Sequence, residues 1–282
     1  MRYEPIKEKI GSAIGTNHTM RKLYYFGLGI MLLRSWHVKR EIRRIFKTDG
    51  FTDVLDAGCG PGEYSYYLAK KFSAKVTGVD IIQSEVDRCN RFAQDQKLSN
   101  AKFVVADLSS NALPGMFDYK FDLIVSVDVM EHIKDDAAVF KNFSSVLREG
   151  GKVIISTPSA GTNHGEEHST NLESESFIDE HFRDGYSPQD ISEKLKAANL
   201  KVERIIFTYG FGGNIYWKLV MKAPITLLNK SSVYFLLLPF YYIITFPVSL
   251  LFMALDYFLP PKGGGGLLVV ACKAHEGEKI KV

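Results

Sequence analysis

Cysteine is scarce in this sequence. Its 282 residues include three, Cys59, Cys89 and Cys272, with no C-x-x-C spacing. That argues against a disulfide framework and against a zinc knot, and it fits a reducing, cytoplasmic setting. The first nine residues, Met-Arg-Tyr-Glu-Pro-Ile-Lys-Glu-Lys, lack the apolar core of a secretion signal. Internal repeats are absent, and the four glycines at 263–266 are the one low-complexity run. Acid is short at the amino-terminal end. Eleven Lys and Arg up to residue 47 face only Glu4, Glu8 and Glu41, although the whole chain carries a net charge of +3. Such asymmetry points to contact with an anionic surface, either lipid headgroups or nucleic acid. Charge of either sign is missing from Ser231 to Leu255, a stretch long enough by itself to cross a bilayer.

What is present is ordinary for a globular protein: 46% hydrophobic and 24% charged residues. The length allows one full α/β domain plus an appendage of roughly 50–90 residues. Residues 20–47 read as a single basic amphipathic helix, with Leu23, Phe26, Ile30, Leu33, His37, Ile42 and Ile45 on its apolar face and Asp49-Gly50 closing it. Strands at 53–58, 75–80, 101–106, 121–127 and 151–156 then alternate with helices at 62–72, 83–97 and 134–148. This order predicts right-handed crossovers and a Rossmann-like, seven-stranded, mostly parallel sheet covered on both faces. Residues 157–186 are polar and long enough for a functional lid. Ser187-Pro188 opens a further helix, with Ser187 as its N-cap. Strands at 201–208 and 267–273 flank an apolar insert at 211–261. The expected division is a basic helical region at 1–49, a core at 50–210, a membrane-docking insert at 211–262, and a last strand and tail at 263–282.

The densest information lies in Val54-Leu-Asp-Ala-Gly-Cys-Gly-Pro-Gly62. It describes a buried strand ending in a tight turn. Gly58, Gly60 and Gly62, with Cys59 between them kept small, bring bare peptide groups up to a ligand, and the following helix aims its N–H groups at the same place. A dinucleotide fingerprint would read G-x-G-x-x-G. Here the pattern is D-x-G-x-G-x-G, and Asp56 adds one fixed negative charge that repels a diphosphate and favours a cation. The expected ligand is nucleoside-like and positively charged, so a nicotinamide dehydrogenase is disfavoured.

Five segments in order carry a resemblance: Val54–Gly62, Val76–Asp80 (VTGVD), Val105–Leu108 (VADL), Phe121–Ile133 (FDLIVSVDVMEHI) and Leu147–Pro158 (LREGGKVIISTP). Over about residues 50–160 the chain resembles class I S-adenosylmethionine-dependent methyltransferases, in the small-molecule and lipid branch that includes quinone- and sterol-methylating enzymes. The resemblance implies S-adenosyl-L-methionine as cofactor. Asp80, 24 positions after Asp56, would hold its ribose. Ile81 would lie on the adenine, and Asp107 would accept the adenine amino group, with the Leu108 backbone nearby. Asp56 and the glycine backbone would meet the amino-acid end, and Ser126 is counted with the cofactor residues. Near the methyl group, Asp128 would line the transfer site and His132 would take a proton from a hydroxyl. His181 and Tyr186 belong to a segment that closes over the acceptor in many relatives. His164 and His168 lack a third ligand, and no metal site is expected.

The insert needs a topology. A single crossing would strand the last β-strand on the wrong side of a bilayer, so a helical hairpin, or oblique helices with both ends cytoplasmic, satisfies every constraint. A buried cap or a homo-oligomer interface is the plain alternative. The expectation is a membrane-associated methyltransferase, peripheral or monotopic at the cytoplasmic face, acting on a lipid-linked or other hydrophobic acceptor, with oxygen as the preferred atom. A non-catalytic scaffold on the same fold is the rival. Nucleic acid is not the expected partner, because Ser126-Val127-Asp128-Val129 is not the N/D-P-P-Y/F base clamp.

Overall fold

The structure is a computed structural model, and it describes residues 18–160, 182–259 and 261–275. Seven strands form one sheet: β1 (Asp53–Ala57), β2 (Lys75–Asp80), β3 (Ala101–Val105), β4 (Phe121–Val127), β5 (Leu147–Pro158), β6 (Leu200–Thr208) and β7 (Gly266–Lys273). Their order is β3-β2-β1-β4-β5-β7-β6. Only β7 runs against its neighbours, pairing antiparallel with both β5 and β6. The seven-stranded, mostly parallel Rossmann-like architecture is therefore as the sequence implied.

The strands are apolar on both faces because each face carries helices. Leu55, Ile124, Val153, Ile155 and Val269 point into one core layer, while Val54, Leu123, Val125, Ile154 and Val270 point into the other. Helices α5 (Asp136–Val146) and α6 (Pro188–Ala197) cover the first layer through Val139, Phe140, Phe143, Ile191 and Leu195. On the opposite face lie α2 (Leu33–Asp49) and α3 (Glu63–Phe72), through Val38, Ile42, Ile45, Leu68 and Ala69. Helix α4 (Gln83–Asp95) closes the β2–β3 end with Val86, Cys89 and Ala93. Ser187 caps α6 as expected, accepting from the Asp190 N–H at 3.1 Å. Strand β5 begins at Leu147, four residues before its expected start, with a register shift opposite Phe121 and Leu123 that lets the Glu149-Gly150-Gly151 turn stay within the strand.

The single helix expected over 20–47 is two: α1 (His18–Met31) and α2. Leu32 breaks them by taking extended torsions, φ −101° and ψ 109°. The break lets Leu32 and Leu33 turn inward, while Leu23 and Phe26, on the expected apolar face, are 60% and 65% exposed. Much of the basic cluster is engaged internally. Arg40 stacks on Tyr257 and donates to its carbonyl, Lys39 pairs with Glu63, and Glu41 pairs with Arg204.

Between β6 and β7 the chain forms a helical hairpin. One leg is α7 (Phe211–Trp217), a π-helical turn (Lys218–Lys222) and α8 (Ala223–Lys230); the return leg is α9 (Leu238–Phe258). The π turn widens the backbone and frees carbonyls. Tyr241 and Tyr242 of α9 donate to two of them, Leu219 O at 2.7 Å and Val220 O at 3.0 Å. Gly212 and Gly213 let the legs touch: a Cβ at Gly212 would collide with the Phe252 carbonyl. Asp256 of α9 accepts from the Gly213 N–H at 3.0 Å, capping the first turn of α7, and lies 3.7 Å from His37 of α2. Helix α9 is long and apolar enough to cross a membrane by length and composition, with a mean hydropathy of 1.8. Its polarity is inverted relative to a soluble surface helix. Ser249, Met253 and Asp256 face inward, whereas Phe240, Ile243, Ile244, Leu251 and Phe258 are exposed.

Candidate active site

Parallel α/β sheets bind ligands outside the carboxyl ends of their strands, where the strand order reverses. That point lies between β1 and β4, and three segments meet there: the glycine turn after β1, the end of β2, and the loop after β4. Gly58, Gly60 and Gly62 all have positive φ, at 76°, 48° and 84°. A side chain at Gly58 would strike Val129 of the β4 loop, so that glycine is needed for close approach. At Gly60 a Cβ would meet nothing within 4 Å, which leaves bare backbone facing open space. Cys59 turns the other way, buried beside Cys89 and Phe103, so that only its backbone is left to the crevice.

Asp80 sits at the rim. Its Oδ2 accepts from the Gly60 N–H at 2.8 Å and its Oδ1 from the Ile82 N–H at 2.9 Å. Each carboxylate oxygen keeps a further lone pair for a hydroxyl. Ile81 and Ile82 beside it are 66% and 53% exposed, an apolar shelf next to an acid. Asp107 is exposed; its Oδ1 accepts from the Ser109 N–H and hydroxyl at 2.8 and 2.7 Å, and its Oδ2 bonds no other described residue. Leu108 is buried, with its carbonyl taken by Asn142 at 2.8 Å.

Asp56 differs from its expected part. It lies beneath the turn, 2% exposed, accepting from the Ser65 hydroxyl at 2.6 Å. Burial pushes its pKa up to about 7, against the pull of the Ser65 bonds, so the fixed negative charge read from the sequence is carried fully only above neutral pH. Ser126 is fully buried in β4, and its hydroxyl bonds no other described residue.

On the acceptor side, Asp128 follows β4 with φ 55°, a left-handed conformation that a non-glycine residue adopts at a cost. It is half-buried and paired with Arg34 from the first turn of α2. His132 is exposed at the end of a 3₁₀ turn (Met130–His132). Its neighbour Glu131 is 2% exposed and accepts from Thr157 at 3.3 Å. Burial, helped by the charge of Asp128, raises the Glu131 pKa to about 7. The sequence reading singled out His132 of this pair; Glu131 carries the perturbed acid, and the Glu-His doublet was its only signal. Tyr186 lies in the core and not in the crevice. It is fully buried, and its hydroxyl donates to Asp136 at 2.7 Å while Arg183 and Lys194 pair with the same carboxylate. His164, His168 and His181 lie outside the described residues.

The amino-terminal helices roof this crevice, a feature the sequence did not reveal. Arg21 and Tyr25 of α1 both donate to the Pro61 carbonyl in the glycine turn. Ser35 and Lys39 of α2 donate to Glu63 at the start of α3, at 2.9 and 2.7 Å.

A methyltransferase domain family matches residues 48–205, more than half of the chain and all three segments of the crevice. The chain belongs to the class I S-adenosylmethionine-dependent methyltransferases. It is 36% identical over 155 residues to the chloroplastic tocopherol O-methyltransferase of Arabidopsis thaliana, an alignment covering 50% of this chain and 43% of that protein. Identity to phosphoethanolamine N-methyltransferase 1 of the same plant is 33% over 145 residues, covering 48% and 28%. The chain thus spans less than half the length of these curated relatives. Among solved structures, phosphoethanolamine N-methyltransferase 2 of Haemonchus contortus, in complex with S-adenosyl-L-methionine, has the same fold. The TM-score is 0.59 over 95% of this chain and 60% of that one, at 19% identity. The cofactor of this methyltransferase is S-adenosylmethionine. The residues present fit it: open backbone at Gly60, a rim carboxylate with free lone pairs at Asp80, and the exposed shelf of Ile81 and Ile82. When bound, it supplies an activated methyl group, and the protein's part is alignment and exclusion of water.

Proposed function

We propose that the protein is a membrane-associated methyltransferase that transfers the methyl group of S-adenosylmethionine to a lipid or lipid-linked acceptor, with oxygen as the preferred acceptor atom. The observation that carries this reading is the inverted polarity of α9. A water-facing helix has no reason to expose Phe240, Ile244 and Leu251 while burying Ser249 and Asp256. Charge supports it: from Phe211 to Lys262 the only acid is Asp256, which is buried, whereas Lys218 and Lys262 are exposed. Such a surface suits the cytoplasmic side of an anionic bilayer, in peripheral or monotopic contact. The tocopherol O-methyltransferase relative favours oxygen, and the phosphoethanolamine N-methyltransferase relative makes nitrogen the rival.

Two measurements test the reading. Purified protein is mixed with S-adenosylmethionine and a total lipid extract, and mass spectrometry looks for a lipid that gains one CH2 only when the enzyme is present. Fragmentation then assigns the methyl to oxygen or nitrogen. Flotation on vesicles compares the wild type with the triple variant Phe240→Glu, Ile244→Glu, Leu251→Glu. Equal flotation would sink the docking role of the hairpin. If the face instead pairs two copies, the wild type runs as a dimer, the variant as a monomer, and neither floats.

A further inference from the structure

We propose that Arg34 is the acceptor-binding cation of this site, and that the acceptor carries an anionic group, phosphate or carboxylate, beside the atom to be methylated. This rests on the lipid-acceptor reading above and names the class of headgroup. Three contacts fix where the guanidinium lies. Leu33, one residue before, is fully buried in the cluster that holds the hairpin residues Tyr216, Val220 and Met253. Ser35, one residue after, is bonded to Glu63 at the start of α3. Arg34 itself reaches Asp128, whose neighbour Val129 lies against Gly58 of the cofactor turn. The side chain therefore stands between the exposed apolar hairpin and the place where the methyl group is presented.

Its bonding is also sparse beside that of Arg21 and Arg183. Arg21 spends its guanidinium on Tyr25, Arg88 O and Pro61 O. Arg183 spends its own on Asp136, Ile133 O and Lys134 O. Arg34 engages Asp128 through Nη1, and no other guanidinium bond to a described residue is present, while 36% of the side chain is exposed. The rest of the guanidinium offers the planar donor geometry that recognises carboxylate and phosphate. Asp128 orients the fork. When bound, the cofactor would add the positive charge of its sulfonium, which an anionic acceptor group offsets and a cationic one does not. An amphiphile with its chain against the hairpin would place its headgroup at this boundary.

The test uses the full-length protein loaded with S-adenosylhomocysteine and calorimetric titration with dihexanoyl phosphatidic acid, dihexanoylglycerol and inorganic phosphate. The proposal predicts binding of the phosphatidic acid and at least ten-fold weaker binding of the neutral glyceride. Arg34→Gln weakens the phosphatidic acid at least ten-fold and leaves affinity for S-adenosylhomocysteine within two-fold. Arg34→Lys, which keeps the charge and the packing of the stem, retains an intermediate affinity. Equal binding of the neutral glyceride, or equal binding by Arg34→Gln, overturns the proposal and leaves the lipid reading standing. Inorganic phosphate binding as tightly as the phosphatidic acid, and lost in Arg34→Gln, supports the anion site and assigns it to a free phosphate. Binding of neither glyceride overturns both readings together.

Discussion

Asp80 ends β2 and Asp56 lies one residue before the end of β1, yet one stands at the rim of the glycine turn and the other beneath it. Asp80 has both oxygens bonded to backbone N–H groups of the loops it joins, so it is already fixed in direction before any hydroxyl arrives. Two charge-assisted bonds to a ribose are worth about 3 kcal/mol or more together. Asp80→Ala should therefore weaken S-adenosylhomocysteine binding by at least roughly 100-fold in calorimetry; unchanged affinity would remove Asp80 from the site. Asp56 and Glu131 share the opposite condition. Burial raises both pKa values to about 7, from ordinary values near 4. Between about pH 4 and pH 7 the unfolded chain has lost protons that the native protein keeps on these two groups, so stability falls as pH rises through that window. For two protons the slope reaches at most about 2.7 kcal/mol per pH unit. Asp56→Asn and Glu131→Gln should each flatten about half of it in urea titrations run across that range. A pH dependence identical to wild type in both variants would mean that neither carboxyl is held protonated in the native state.

At the scale of elements, the core strands were legible because both-face burial writes continuous runs such as Phe121–Val127, and glycines punctuate them. The turn after β1 was legible for a related reason: Gly58 and Gly60 hold positive-φ conformations that few residue types allow. What was not legible depends on partners far away in sequence. Nothing near Tyr186 announces that its hydroxyl will meet Asp136, 50 residues earlier, and that pairing draws it into the core. Nothing in residues 20–47 shows that Leu32 will break the helix so that Arg21 can reach Pro61. The π turn at Lys218–Lys222 is equally silent, since its compensation comes from Tyr241 and Tyr242 on the other leg. Gly212 makes the interlocking of the legs testable. A methyl group there would run into the Phe252 carbonyl, and backbone cannot move aside as a side chain can. Gly212→Ala should destabilise the protein by about 1–3 kcal/mol, the usual range for overpacking, read from the midpoint of chemical denaturation. A variant as stable as wild type would mean that the legs are not in contact at this point.

The whole molecule places two chemistries on either side of one helix. The first two turns of α2 meet the cofactor crevice through Arg34, Ser35 and Lys39, and the hairpin through Leu33, His37 and Arg40. Attachment to a bilayer through this arrangement would have two separable parts. The exposed face of α9 supplies an apolar term, proportional to the area withdrawn from water and little affected by salt. The lysines of the insert, and the exposed Arg43, Arg44 and Lys47 at the end of α2, supply a coulombic term that salt screens over about 8 Å at physiological ionic strength. Binding to vesicles containing phosphatidylglycerol should therefore weaken as sodium chloride rises from 0.05 to about 0.5 M, but level off at the affinity measured on pure phosphatidylcholine. The glutamate triple variant should lose the phosphatidylcholine component entirely and keep only a salt-sensitive remnant on phosphatidylglycerol. Cosedimentation across the salt series reads both parts. A wild type released completely from phosphatidylglycerol by salt would make the contact purely electrostatic, and the inverted polarity of α9 would then have to serve a second protein surface instead of lipid.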